Sequence, residues 1–348
     1  EDEERASARP IDGDGSWGRA HGEPEILAPR ESVRDWAERK GLIRGAEPSL
    51  GELVQAQAGL QVGAVLREAD LTKGGVLVPA GVSAEIVDLA RSRSVLVQAG
   101  AQTRPIEVVE QKYPRLETDP TASWVAENAS IPESDTTFGA VVHRPHKLAS
   151  LMRAPRELLE DAPELDAFLR RVLAEIFALE LDKAGLRGDD VHRPAGIRFW
   201  SGITVVSMGA NGATPTNYDP LMDAIAAVRT SNFEPTAWIG HPRDFNSFGK
   251  LKATDNQPLQ PPADVAALRR FSTTSIPTNL TQGTSSDTSE AYVGDFSEYL
   301  FTIRVAFQVQ VLKERYADND QVGILARVRA DGAPMRDAAF AVITGLRP

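Results

Sequence analysis

Residues 161–188 read DAPELDAFLRRVLAEIFALELDKAGLRG, and the reading of this stretch decides the fold. Asp161 suits an N-cap, because its carboxylate can accept a backbone N–H of the first turn, and Glu164 three residues later completes a capping-box-like start. Leu165, Phe168, Leu169, Val172, Leu173, Ile176 and Phe177 then recur at three-and-four spacing, which stacks them on one stripe of a helix. Gly185 and Gly188 mark its stop. About 25 residues rising ~1.5 Å each make a rod of roughly 37 Å, long enough to serve as a spine for other elements.

Just upstream, residues 122–148 form a polar excursion around Ile131-Pro132-Glu133-Ser134-Asp135, flanked by Trp124-Val125 and Val141-Val142. The pattern predicts a long hairpin. With about a dozen residues in each leg at ~3.3 Å rise, it would project on the order of 40 Å. An isolated two-stranded ribbon is marginal in water, so this one needs a surface to lie on, and another copy of the chain is the simplest.

Residues 1–60 open with Glu1-Asp2-Glu3-Glu4 and are broken by Pro10, Gly13, Gly15, Gly18, Gly22, Pro24 and Pro29. Such a segment cannot bury enough surface to offset its ordering entropy, so its order is expected to come from a neighbouring subunit. A short amphipathic helix interrupts it at 32–40, with Val33 and Trp36 on one face. From Gly74 the pattern changes. Val76-Leu77-Val78-Pro79 reads as a strand, Val82, Ile86, Leu89 and Ala90 as a helical face, and Val95-Leu96-Val97 and residues 106–109 as strands.

Downstream of the spine, Asp219-Pro220 reads as an N-cap and first-turn proline leading Leu221, Ile225 and Val228. Ala237-Trp238-Ile239 is a buried-strand pattern, and His241-Pro242 starts a helix carrying Phe245, Phe248 and Leu251. The Ser/Thr-rich run 281–289 reads as a surface loop. Phe301, Ile303, Val305, Phe307, Val309 and Val311 alternate with Thr302, Arg304, Ala306, Gln308 and Gln310, predicting a long strand with one buried face. A second strand follows at 321–330, a tight turn at Asp331-Gly332, and a third strand at 338–344.

The 348 residues, 25% charged and 42% hydrophobic, can bury a sizeable core in one large or two modest domains. The absence of cysteine excludes disulfides, thiolate metal sites and a cysteine nucleophile. No apolar run approaches the roughly 18 residues that span a bilayer, and no signal segment opens the chain, which reads as soluble and intracellular in origin. A protein that grips phosphates tightly usually carries a basic face. The net charge of −11 argues against a dedicated nucleic-acid binder while leaving room for a local basic patch. Glu1 in place of methionine predicts that an initiator or a longer leading segment has been removed.

The motifs of catalysis fail on context. Gly13-Asp14-Gly15-Ser16-Trp17-Gly18 matches G-x-G-x-x-G, but no strand precedes it and no helix opens at its end, so a flexible arm is the better reading. His143 and His146 flank Pro145 without a third ligand nearby and read as solvated loop histidines. Asp318, Asn319 and Asp320 lack the glycine and terminal glutamate of a calcium loop and read as a polar turn. Glu160 and Asp161 are explained by helix capping. No nucleophile, base and oxyanion donor assemble, so no catalytic, cofactor or metal site is expected.

The order of elements resembles the Hong Kong 97-type major capsid protein of tailed phages, and so does the local wording. Trp124-Val125-Ala126-Glu127-Asn128 followed by Pro132-Glu133-Ser134-Asp135 and Phe138 is similar to that family's extended loop. Leu158-Leu159-Glu160-Asp161-Ala162-Pro163 resembles the approach to its spine helix, and Pro194-Ala195-Gly196-Ile197 the exit. His241-Pro242-Arg243-Asp244 with Leu251-Lys252 looks like part of its axial domain. Gly294-Asp295-Phe296 and Asp320-Gln321-Val322 with Arg327, Arg329, Asp331 and Gly332 look like its C-terminal strands. The resemblance runs over about residues 70–345.

It implies an α+β fold with an N-terminal arm (1–70), the first part of a peripheral domain (71–121), and an extended β-hairpin loop (122–148). The peripheral domain with its spine helix (149–196), an axial domain (197–290) and strands completing both (291–348) would follow. It implies a structural protein, not an enzyme, that self-assembles into hexamers and pentamers of an icosahedral virion shell in the host cytoplasm. The loop would contact neighbours through Trp124, Glu127, Ile131, Pro132, Glu133, Asp135, Phe138 and Arg144, and the arm through Trp17, Val33 and Trp36. The implied partners are further copies of the chain, a portal protein, a cement or decoration protein, a scaffolding segment, a maturation protease, and packaged double-stranded DNA contacted non-specifically. No cofactor or membrane is implied. Some relatives lock the shell with an isopeptide bond between lysine and asparagine, promoted by glutamate. The matching positions here are Ile131, Asp320 and Arg327, so no such crosslink is expected. An encapsulin-type compartment shell is the nearest alternative, and a mixed α/β metabolic enzyme a remoter one.

Overall fold

Two fourteen-residue strands grow from the alternating C-terminal pattern, and the rest of the chain is arranged around them. The structure is a computed structural model that describes residues 32–40, 80–106, 108, 110–116, 138–155, 165–312 and 315–348, with single positions 43, 50, 54, 76, 77, 124 and 157. In chain order come α1 (Val33–Arg39), β1 (Val76–Leu77), α2 (Ala80–Arg93), α3 (Val95–Ala99), β2 (Gln102–Ile106), β3 (Gln111–Leu116), β4 (Phe138–His143) and β5 (His146–Pro155). The spine α4 (Leu165–Arg187) leads to β6 (Thr204–Ser207), α5 (Asp219–Thr230), β7 (Ala237–Gly240), α6 (Pro242–Gly249), α7 (Ala263–Ala267) and β8 (Arg269–Ser272). Then follow β9 (Leu280–Gln282), β10 (Ser285–Gly294), β11 (Tyr299–Leu312), β12 (Gln321–Pro334) and β13 (Phe340–Leu346). The α+β class expected from the sequence is what is observed.

A five-stranded sheet runs β1-β11-β12-β5, with β2 parallel to β11. A six-stranded sheet runs β6-β13-β10-β7-β8, with β9 beside β10. The pair β3-β4 stands apart as a two-stranded ribbon. Ile303, Ile324, Ala326 and Val328 turn inward from the first sheet onto Leu169, Leu173 and Phe177 of the spine and onto Val82 and Ile86 of α2. Each large side chain so buried contributes roughly 1.5–3 kcal/mol. A second core forms where Leu221, Ile225 and Val228 of α5 and Phe248 of α6 cover Trp238, Val293 and Ile343 of the second sheet.

The spine covers 23 residues, and Asp161 and Glu164 lie outside the described residues. Gly185 is inside the helix and is not its stop. A Cβ there would lie 2.5 Å from Leu96 Cδ1 and 3.1 Å from the Phe301 ring, so glycine permits a close crossing of helix, α3 and sheet. Gly188 does end it, where the returning Pro194 carbonyl leaves no room for a Cβ.

Several local expectations are corrected by tertiary partners. Val95-Leu96-Val97 is helical, because Asp182 of the spine caps it: Ser94 Oγ donates to the carboxylate at 2.6 Å, Val95 N at 2.9 Å and Leu96 N at 3.2 Å. Residues 281–289 are largely strand, turning at Gly283 with φ 57°. Asp331-Gly332 does not turn but stays within β12 opposite Thr302 and Phe301, since Gly332 lets the Tyr299 hydroxyl and Phe301 ring pack against its Cα. Asp219 is the first helical residue of α5, Tyr218 being the N-cap, while His241 caps α6 as its spacing to Pro242 suggested. The last strand spans 340–346.

Val33 and Trp36 are not surface anchors for a neighbour. They are 1% and 4% exposed within this chain's own core, because Asp88 of α2 accepts hydrogen bonds from Ser32 Oγ and Val33 N and holds α1 against it. Leu89, expected on the buried face of α2, points outward.

Candidate assembly surfaces

Among the described residues the ribbon pairs 111–116 with 138–143, so its pairing begins ahead of the predicted 122–148. Residues 146–155 belong instead to the five-stranded sheet, where β5 pairs with β12 from Ala330↔His146 to Gln321↔Pro155. The six paired residues of each leg reach on the order of 20 Å at ~3.3 Å per residue, and residues 117–123 and 125–137 between them lie outside the described residues.

A buried polar cluster anchors the ribbon's root. His143 is fully buried, contrary to its reading as a solvated loop residue. The covering groups come from elements distant in sequence. The Arg104 guanidinium of β2 lies 4.5 Å from the Tyr113 ring centroid, and Tyr113 meets the His143 ring edge-on at 5.2 Å. Thr302 Oγ1 lies 3.2 Å from His143 Nδ1. Asp331 is 3.7 Å from the same nitrogen, with its carboxylate held by Arg144 N at 2.6 Å and Gly332 N at 2.8 Å. Burial, reinforced by Arg104, lowers the His143 pKa to about 4, so the ring is neutral at pH 7. Burial raises Asp331, opposed by its amide hydrogen bonds.

The predicted contact residues fall into three groups. Trp124 is fully exposed at 106%, and Arg144 is exposed while bonding Glu110 across the root at 3.0 Å. Phe138 opens β4 opposite Leu116. Trp17, Glu127, Ile131, Pro132, Glu133 and Asp135 lie outside the described residues. Of the positions matching the absent crosslink, Ile131 is likewise outside. Asp320 sits in the turn before β12 at φ 49°, and Arg327 lies on β12 bonding Gln310 Oε1 at 3.1 Å. Asp320 precedes the strand that carries Arg327, and neither side chain is the asparagine or glutamate of that bond.

The spine has a second apolar face. Phe168 and Ile176, which the sequence assigned to the core, share it with Leu179, and all three are exposed, Phe168 by 55%. A helix apolar on two sides is normally covered on both. Among the described residues no group of three His, Asp or Glu side chains could hold a metal ion, and no helix is long and apolar enough to cross a membrane.

Comparison with known proteins gives a consistent set of likenesses. The model of the phage capsid family matches residues 74–345. The major capsid protein of Klebsiella oxytoca phage phiKO2 is 24% identical over 260 residues, 71% of this chain and 60% of that protein. That of Enterobacteria phage HK97 is 28% identical over 166 residues, 47% of this chain and 41% of the relative. The chain thus spans 60% or less of these relatives' length. Among solved structures, the capsid of a native GTA particle superposes with TM-score 0.58 at 19% identity, covering 73% of this chain and 90% of that one. A chain from Mycobacterium phage Ogopogo gives TM-score 0.55 at 18% identity, covering 88% and 98%.

Proposed function

The chain belongs to the phage capsid family, and from that membership we propose that it is the major subunit of an icosahedral shell enclosing double-stranded DNA. Its work is assembly into hexamers and pentamers, without a catalytic step. The observation that carries this reading is the ribbon: a two-stranded element pinned at a buried root, with Trp124 wholly exposed beyond it. Two strands alone bury too little to be stable, so such an element gains its order by lying on something else. The exposed stripe of the spine supports the same conclusion.

In this reading the five-stranded sheet and spine form a peripheral domain, and the six-stranded sheet with α5 and α6 an axial one. Assembly takes place in the host cytoplasm, with a portal protein, a scaffolding segment and a maturation protease as partners. A cement or decoration protein adds strength. Relatives that are phage capsid proteins favour a genome over a cargo enzyme as the content.

Negative-stain micrographs of the expressed chain are expected to show closed shells of uniform size. A compact monomer at high concentration would overturn the proposal. With no lysine at 131, no asparagine at 320 and no glutamate at 327, shells boiled in detergent are expected to run as one monomer band; a ladder of multimers would refute this.

A further inference from the structure

Where the spine ends, its last turns, the edge strand β5 and the loop 189–194 enclose a cavity of about 80 Å³. Its floor is apolar, made by Leu181 and Ala184 of the spine, Leu148 of β5, Ala330 of β12 and the returning Pro194. Backbone pairing fixes these walls in place. His146 pairs with Ala330 across the strands, Gly196 N donates to Gly188 O at 3.1 Å, and Asp189 bridges Ala195, which closes the loop on itself. The rim is basic: Lys147, His192 and Arg193 stand exposed beside the half-buried His146. The acids nearby are already engaged, Glu180 with Lys183 and Asp189 with Arg193 at a long 3.7 Å. Among the described residues Lys147 makes no ion pair. His146 supplies a second observation, since its Nδ1 is buried and has no hydrogen-bond partner among the described residues. Buried polar atoms are nearly always bonded, so an orphan in a cavity wall marks a place for a guest.

We propose that this cavity binds a carboxylate carried on a small branched aliphatic group, the aliphatic part on the floor and the carboxylate among His146, Lys147 and Arg193. Size selects the apolar part. At ~30 Å³ per water the cavity has room for about two to three waters, the bulk of a branched aliphatic side chain and less than the ~150 Å³ that admits benzene. An apolar floor gives such waters few partners, so an aliphatic guest replaces them at little loss. Charge selects the head group. A carboxylate accepts hydrogen bonds from cationic donors more strongly than a neutral oxygen does, and it gives the Nδ1–H of His146 an acceptor. A phosphate backbone has nothing to place on the floor, so nucleic acid fits this mixed surface poorly. The same chemistry has two sources, a free branched-chain acid or a polypeptide ending in leucine, isoleucine or valine. The cavity lies within one chain, so the inference stands apart from the shell reading.

The test is saturation-transfer NMR on the full chain, with isocaproate, isocaproamide, acetate and N-acetyl-glycyl-leucine as probes. Isocaproate is expected to bind saturably and about tenfold more tightly than isocaproamide or acetate, each of which lacks one half of what the cavity recognises. Lys147→Ala with Arg193→Ala, both at exposed positions, should weaken isocaproate by about tenfold or more. His146→Phe should weaken it as well while keeping a ring in the wall. N-acetyl-glycyl-leucine binding more tightly than isocaproate supports the proposal with a chain end as the source; equal or weaker peptide binding supports it with the free acid. Acetate binding as well as isocaproate would overturn the proposal, leaving an adventitious ion only. Isocaproamide binding as well as isocaproate would overturn it too, as would unchanged affinity in the variants or no saturable binding of either carboxylate.

Discussion

Glu290→Ala is expected to destabilise the folded subunit by about 3 kcal/mol, because it removes the one carboxylate that neutralises two arginines. Glu290 is 3% exposed on β10 and accepts from Arg187 Nε at 3.1 Å, Arg198 Nε at 2.9 Å and the Tyr292 hydroxyl at 3.0 Å. Arg187 ends the spine and Arg198 lies in the turn that follows it, so the cluster ties the spine to the six-stranded sheet. Burying charge is costly, and this arrangement persists because all the charges meet in one place. Without Glu290, both guanidinium groups must turn to solvent and Tyr292 keeps a buried hydroxyl without its acceptor. Arg198→Met should cost only about 1 kcal/mol, since Glu290 retains Arg187 and Tyr292. Denaturant melts of the unassembled subunit measure both. Equal midpoints for Glu290→Ala and the unaltered chain would show that the cluster contributes nothing.

The elements legible in the sequence are those whose own side chains decide their form. The spine, α5, α6, β7 and the long strands β11 and β12 follow apolar periodicity and formed where that pattern placed them, whereas the caps read for α5 at Asp219 and for the spine's end at Gly185 shifted. The misreadings share a different cause. Val95 and Val97 prefer strand when judged alone, and the carboxylate of Asp182, from the spine, joins the Ser94 cap in turning that segment into helix. Asp331-Gly332 has hairpin chemistry, yet pairing with β11 continues straight through it because Gly332 admits an aromatic neighbour. His143 stands beside Arg144, Pro145 and His146 in what reads as a loop, and its burial is imposed by Arg104, Tyr113 and Thr302. Sequence alone could not set Arg304, Arg329 and Lys147 side by side across three strands, since that depends on cross-strand register.

Acid should loosen the subunit through His143, and the sign follows from where its proton is bound. The unfolded chain protonates this histidine near its ordinary pKa of 6.5, whereas the folded site holds it at about 4. Between those values the unfolded state binds the extra proton, so stability falls as pH drops from about 6.5 to 4 and levels off below. A shift of this size corresponds to about 3 kcal/mol. Asp331 acts in the opposite sense: its raised pKa makes the fold tolerate its protonation, returning some stability as pH falls. The discriminating measurement is therefore a difference between chains. Melts at pH 7 and pH 4 should show the unaltered subunit losing about 3 kcal/mol more than His143→Gln, which cannot take up the proton. Because His143 joins β4 to the face of the five-stranded sheet, the loss should appear first at the ribbon's root, as faster amide exchange at Val141, His143 and Arg144 than in the spine. A spine that opens first would place the acid-sensitive charge elsewhere. Identical pH dependence in the two chains would mean that burial of the ring does not hold its proton off.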